Sequence, residues 1–225
     1  ASDNLENFFN NNSLIKSKKI NIGYCGSFLP GKGGSECINL AKNALQYNFL
    51  LAGSLDKDQE SEINKYGNCY YFGYLDDVSL KDFYRKCDIL IAPIGRRIFL
   101  DKEKKNEITF FTSPLKIYEY LIMNKPIITT DCPSTREFRN IKGIWTISKK
   151  DSLCFSKWIN TIEIISNYIK ENNLENKDFG KIMGEQIGHD AINIRILTVK
   201  HGDFCKALAE DPSVRLKYWL SKQSG

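Results

Sequence analysis

The sequence predicts an α/β fold, a doubly wound parallel sheet with helices after it. Three observations carry that expectation. From Ile20 onward short apolar runs alternate with amphipathic stretches, the pattern of successive βαβ units. A glycine-rich segment, Gly26-Ser27-Phe28-Leu29-Pro30-Gly31-Lys32-Gly33-Gly34, lies between the first apolar run and the first helical stretch. Finally, Ser113-Pro114-Leu115-Lys116-Ile117-Tyr118-Glu119-Tyr120-Leu121 leads into Asn124-Lys125-Pro126-Ile127-Ile128-Thr129-Thr130-Asp131. That stretch reads as a helix start, an amphipathic helix, a tight turn and a buried strand.

Residues 1–17 are polar and Asn-rich, with Leu5, Phe8 and Phe9 as apolar anchors, and read as a linker. The alternation that follows places strands over 20–25, 49–52, 69–72, 89–92, 126–130 and 144–147. Helices are expected over 35–47, 57–66, 79–86 and 114–123, the third opened by a capping box of Ser79 with Asp82. Beyond 150 the period becomes helical: Phe155, Trp158, Ile159, Ile162, Ile165 and Ile169 form one stripe, and a second stretch runs over 203–220. The expected division is a linker (1–17), a Rossmann-like domain (18–150) and a helical C-terminal region (151–225). A doubly wound sheet binds its ligand at the carboxyl ends of its strands.

At 225 residues the chain can bury one ample core. Its net charge of +5 comes from lysines dispersed among nearly as many acids, too mild for a nucleic-acid groove. The sequence as read has no N-terminal apolar segment with a cleavage site and no apolar run long enough to span a bilayer, so a soluble or at most peripheral protein is expected. The cysteines are Cys25, Cys37, Cys69, Cys87, Cys132, Cys154 and Cys205, an odd number without a Cys-x-x-Cys pair. They read as reduced, small apolar residues in a cytosolic protein, with no zinc.

Ser113 suits an N-cap and Pro114 the first helical position, which leaves the N–H groups of Leu115 and Lys116 pointing out of a helix start. Such a start holds anions, and Lys116 adds a full charge. Glu119, three residues on, offers a carboxylate to a pair of hydroxyls. Phosphate and diol together suggest a nucleotide. In the glycine-rich loop, Gly26 and Gly31-Lys32 have the spacing of a P-loop, but Gly33 stands where the magnesium-binding Ser or Thr belongs. A turn that merely needs glycines is the alternative there. Phe72-Gly73-Tyr74-Leu75 ends the third strand, and Gly73 would let the chain approach a flat ring closely. The long loop from Gly95 to Thr112 carries Arg96, Arg97, Lys102, Lys104, Lys105, Phe110 and Phe111. It reads as solvated and mobile, with contact to an acceptor, an anionic membrane surface or phosphates as the alternative. His189 and His201 lack the partners of a catalytic base.

The Ser-Pro-Leu-Lys-x-x-Glu-Tyr-Leu block with its Lys-Pro-Ile-Ile strand resembles the donor-binding half of group 1 glycosyltransferases, the retaining enzymes of GT-B architecture. The likeness runs from about residue 20 to 147. It implies that the helix start and the first loop hold a donor diphosphate, with Lys32-Gly33 in the place of the family's loop-ending Lys-Gly. It also implies that Glu119 holds the ribose and that the Phe-x-Gly turn passes beside the nucleobase. The donor-binding residues it implies are Gly31, Lys32, Gly33, Gly73, Tyr74, Ser113, Pro114, Leu115, Lys116 and Glu119. Lys32 and Lys116 would stabilise the leaving group, and no metal or other cofactor would be required. Many members carry a second glutamate eight residues before the first; here that position is Phe111.

The resemblance thus implies transfer of a hexose or hexosamine from a nucleoside diphosphate sugar to a hydroxyl. The acceptor would be bound by an N-terminal domain or a partner subunit, in the cytoplasm or peripherally at a membrane. A nucleotide-binding partner subunit without activity and a P-loop-like nucleotidase are the alternatives.

Overall fold

A computed structural model describes residues 19–109 and 115–172. The readings made for the linker, Phe110, Phe111, Ser113, Pro114, Cys205, both histidines and the 203–220 stretch lie outside those residues.

The elements run β1 (Asn21–Cys25), α1 (Gly34–Asn43), β2 (Asn48–Ala52), α2 (Lys57–Ile63), β3 (Cys69–Tyr71), α3 (Asp77–Lys86) and β4 (Ile89–Ala92). After the long loop come α4 (Leu115–Ile122), β5 (Ile127–Asp131), a 3-10 helix (Pro133–Phe138), β6 (Ile144–Ser148) and α5 (Phe155–Glu171). All six strands are parallel, in the order β3-β2-β1-β4-β5-β6. The chain winds outward from β1 to β3, returns past β1, and winds outward again from β4 to β6. The strand order therefore reverses between β1 and β4, where a crevice opens at the carboxyl ends.

Parallel strands covered on both faces must be apolar throughout, and β2 and β4 are buried at every residue. On one face Ile22, Tyr24, Phe49, Leu51, Ile89 and Ile91 pack with α1 and with Ile63 of α2. Trp158, Ile162 and Ile165 of α5 enter the same core, as the apolar stripe predicts, and the Trp158 indole N–H donates to Ser152 O at 3.0 Å. On the other face the aromatic rings of Phe83, Tyr84 and Tyr120 meet edge to face between α3 and α4.

Several expected boundaries move. The carboxylate of Asp76, not the Ser79 hydroxyl, caps α3 by accepting from Ser79 N at 2.8 Å, so the helix opens at Asp77 and Ser79 is buried in its first turn. A charged oxygen complements a helix start better than a hydroxyl, and Asp82 is spent on Arg85. Helix α1 stops at Asn43 because Ala44 leaves helical geometry and turns the chain toward β2. The 3-10 helix was not expected; Pro133 opens it and Thr135 Oγ1 accepts from Cys132 N at 3.0 Å. Cys37, Cys69, Cys87 and Cys132 are buried free thiols, while Cys25 is half-buried and Cys154 exposed.

Asn68, 4% exposed, holds the end of α1 against β3. Its side-chain nitrogen lies 3.0 Å from Ala41 O, 3.2 Å from Ala44 O and 3.0 Å from Tyr47 O. Removing it strands carbonyls without water, which costs about 1–3 kcal/mol. Asn68→Ala is therefore expected to lower the urea midpoint without changing the slope of the transition; an unchanged midpoint would refute this role.

Candidate functional site

The site begins with Tyr24, whose side chain is completely buried on β1 at the reversal point. Its hydroxyl reaches two carbonyls of the loop that follows, Ser27 O at 2.6 Å and Lys32 O at 3.0 Å. Its ring carries the Lys116 ammonium, 3.8 Å above the centroid. That ammonium also donates to Lys32 O at 3.3 Å. A cation on an aromatic face with a carbonyl beside it keeps its charge away from bulk water. Lys116 thus does not project freely from α4; it reaches back from the helix start and braces the glycine loop.

The close approach explains one glycine directly. A Cβ on Gly26 would stand 2.7 Å from Lys116 Nζ, so a larger residue would displace the cation. Gly31 and Gly33 adopt positive φ of 78° and 113°, and Gly95 N donates to Gly31 O at 2.9 Å. Leu115 and Lys116 open α4, so their N–H groups have no partner inside the helix.

Burial acts on all three charged groups. Desolvation lowers the pKa of Lys32, and it lowers that of Lys116 to about 8, against the opposing pull of Cys37, Cys25 and Glu119. Glu119 lies on the exposed rim of α4, yet desolvation raises its pKa, opposed by a hydrogen bond from the Tyr84 hydroxyl at 3.2 Å and by Lys116. Sequence reasoning missed Tyr24 and Tyr84. Both look like ordinary core aromatics in the linear pattern, and only their hydroxyl partners distinguish them.

Gly73 extends the carboxyl-end rim: Gly53 N donates to Gly73 O at 2.8 Å, and Gly26 N to Ala52 O at 2.9 Å. Tyr74 follows with 84% of its surface exposed. At the start of α1, which Gly33 caps, Glu36 sits in the first turn, where burial raises its pKa, and the ring of Phe28 lies against Gly34. Among the described residues no group of three or more His, Cys, Asp or Glu side chains could hold a metal ion.

Over its described part, 95–109, the long loop is solvent-exposed at 102–107, as expected, but is anchored at its base. Ile94 and Ile98 are buried beside Cys132, and Phe99 N donates to Pro30 O at 3.1 Å. Arg97 makes two bonds to Glu107 at 2.9 and 2.6 Å, Lys102 pairs with Asp56 at 2.8 Å, and Arg96 donates to Lys149 O and Lys150 O. Its apolar residues anchor it and three of its cations are committed within the protein. No helix among the described residues is long and apolar enough to cross a membrane.

Because burial lowers the Lys116 pKa to about 8, part of it is neutral at mildly alkaline pH. A bound polyphosphate favours the charged form and draws the pKa back up. Affinity for inorganic pyrophosphate should therefore fall as pH rises through about 8, and binding near that pH should take up protons. Titration calorimetry in two buffers of different ionisation heat measures the uptake, which Lys116→Met should reduce, Lys32 supplying any remainder; equal uptake in the variant would exclude Lys116 as a source.

Comparison with known proteins agrees with this architecture. Residues 19–162 match the family described as glycosyl transferases group 1. A glycosyltransferase from Rickettsia africae superposes with a TM-score of 0.58 at 15% identity, over 94% of this chain and 53% of the other. The Anabaena protein HepE in complex with UDP-glucose gives 0.55 at 13% identity, over 90% and 53%. Sucrose-phosphate synthase from Thermosynechococcus elongatus gives 0.56 at 14% identity, over 91% and 49%. The chain spans about half the length of these structures. No curated protein matches it in sequence. With a family match covering well over half of its residues and a parallel sheet reversing beside a glycine loop, the chain belongs to the group 1 glycosyl transferases.

Proposed function

We propose that this chain is the donor-binding domain of a retaining glycosyltransferase, moving a hexose or hexosamine from a nucleoside diphosphate sugar to a hydroxyl acceptor. The observation that carries this is the convergence of Lys116, the Lys32 carbonyl and Gly26 at the strand reversal, with Glu119 one helical turn further along α4. The diphosphate would lie against Gly31, Lys32 and Gly33 and the α4 start at Leu115 and Lys116, with Ser113 and Pro114, next to them in sequence, as further contacts. The ribose would meet Glu119, and the nucleobase the rim at Gly73 and Tyr74.

In this reading Lys32 and Lys116 stabilise the charge that develops on the departing diphosphate, without a metal. Their partial desolvation strengthens that effect, since a charge interaction weakens with the dielectric around it. The acceptor hydroxyl would be held by a further domain or a partner subunit, in the cytoplasm or at a membrane surface. The family match and the structure of HepE with UDP-glucose support the donor class. Gly33, where a P-loop has its magnesium-binding Ser or Thr, disfavours the P-loop nucleotidase.

Calorimetric titration with UDP, GDP, ADP and UDP-glucose, with and without magnesium, tests the assignment. Binding is expected without magnesium, and Lys32→Ala and Lys116→Ala should each lose about 1.5–3 kcal/mol, the usual worth of a hydrogen bond to a charged group. Glu119→Gln should weaken the nucleotide but not inorganic pyrophosphate. Undiminished nucleotide affinity in both lysine variants would overturn the phosphate assignment. A turnover assay with the same proteins separates an active donor domain from a binding subunit without activity.

A further inference from the structure

Glu119 is an exposed side chain with three rotatable bonds, whereas the group that touches it is neither exposed nor free. Tyr84 lies on α3, is 3% exposed, and meets Tyr120 at 5.5 Å between ring centroids and Phe83 at 5.7 Å, both edge to face. With its ring fixed on two sides, the hydroxyl has one place to be, 3.2 Å from Glu119 Oε2. A phenylalanine would fill the same volume, so packing alone gives no reason for the oxygen. We infer that Tyr84 is the positioning residue for Glu119, a buried donor that fixes the carboxylate plane so that its other lone pairs face the vicinal hydroxyls of a ribonucleotide.

The inference rests on the ribose role proposed for Glu119. An ionised carboxylate has roughly four acceptor sites; Tyr84 takes one and the rest remain for a diol. Holding a flexible side chain in its bound geometry beforehand removes ordering cost from binding, which is how a residue that never touches the ligand can set selectivity. Tyr84 stays a donor throughout, because burial beside Cys25 and Glu119 pushes its own pKa well up.

The groups facing Glu119 come from three elements: Tyr84 from α3, Lys116 from α4 and Cys25 from β1. The Tyr84 bond and the Lys116 charge both favour the ionised carboxylate against desolvation. Deleting the hydroxyl should raise the Glu119 pKa, and the acid limb of nucleotide binding should move to higher pH.

The test titrates UDP, GDP and ADP, each beside its 2′,3′-dideoxy analogue, into the wild type, Tyr84→Phe, Glu119→Gln and Tyr118→Phe. Tyr118 is the control: it sits on α4 and makes the same kind of bond, to Glu137 Oε1 at 2.8 Å. The wild type should prefer the ribonucleotide by about tenfold or more, as expected for a hydrogen bond to a charged group. Glu119→Gln should lose that preference, Tyr84→Phe should lose most of it and shift the acid limb upward, and Tyr118→Phe should do neither. Pyrophosphate affinity should be unchanged in Tyr84→Phe.

If Glu119→Gln loses the preference while Tyr84→Phe keeps both the preference and the acid limb, the positioning role is wrong and the ribose role stands. If the wild type shows no preference, or Glu119→Gln keeps it, the ribose role falls and the inference with it. Should Tyr84→Phe fail to fold, 3-fluorotyrosine at position 84 makes a stronger donor and must move the acid limb to lower pH; an unmoved limb refutes the inference.

Discussion

An ammonium held on the face of a buried tyrosine is the constraint around which the carboxyl end of this sheet is arranged. Lys116 sits 3.8 Å above the Tyr24 ring and 3.3 Å from the Lys32 carbonyl. Taking a lysine out of water is costly, and its pKa of about 8 records that cost. The ring and the carbonyl offset part of it, but only in one geometry. Gly26 must carry no side chain, Tyr24 must present its ring, and α4 must begin where it does. Three elements that are distant in sequence are thereby tied at the place where the strand order reverses.

The surrounding loops are packed to keep that geometry. Tyr24 holds the glycine loop from beneath through two carbonyls. From the side, the loop after β4 bonds to Pro30 and Gly31 and is itself pinned by Lys102 to Asp56 and by Arg96 to the carbonyls of Lys149 and Lys150. Each exposed pair is worth little alone. Together with the burial of Ile94 and Ile98 beside Cys132 they leave the loop few alternative positions. A site framed in this way spends less of its binding energy on ordering when a ligand arrives.

The structures compared above share this architecture with the chain at very low identity, 13–15%. Chirality and sheet coverage account for that: right-handed crossovers on a parallel sheet need apolar strands and amphipathic helices, and many sequences supply them. In this chain, polar atoms on otherwise ordinary core positions shape the carboxyl-end rim. The hydroxyl of Tyr24 fixes a loop, and the hydroxyl of Tyr84 meets a carboxylate.

The sequence by itself determined the fold class, the six strands to within a residue or so at their ends, and the stripe by which α5 enters the core. These follow from local periodicity, because a strand buried on both faces or a helix with one apolar face shows its environment in its own composition. It also pointed to Lys116 and Glu119 as candidates, since a helix start with a cation and a carboxylate nearby is a local pattern, and to Lys32 through the spacing of the glycine loop and the family resemblance. Only the tertiary structure decided where those charges sit. Asp76 displaced Ser79 as a cap, the β4 loop became an anchored strap, and Lys116 folded back onto a ring 92 residues away in the chain. Those outcomes depend on distances between residues remote in sequence. A lone tyrosine in a strand carries no mark of whether its hydroxyl will meet solvent, a loop carbonyl or a carboxylate.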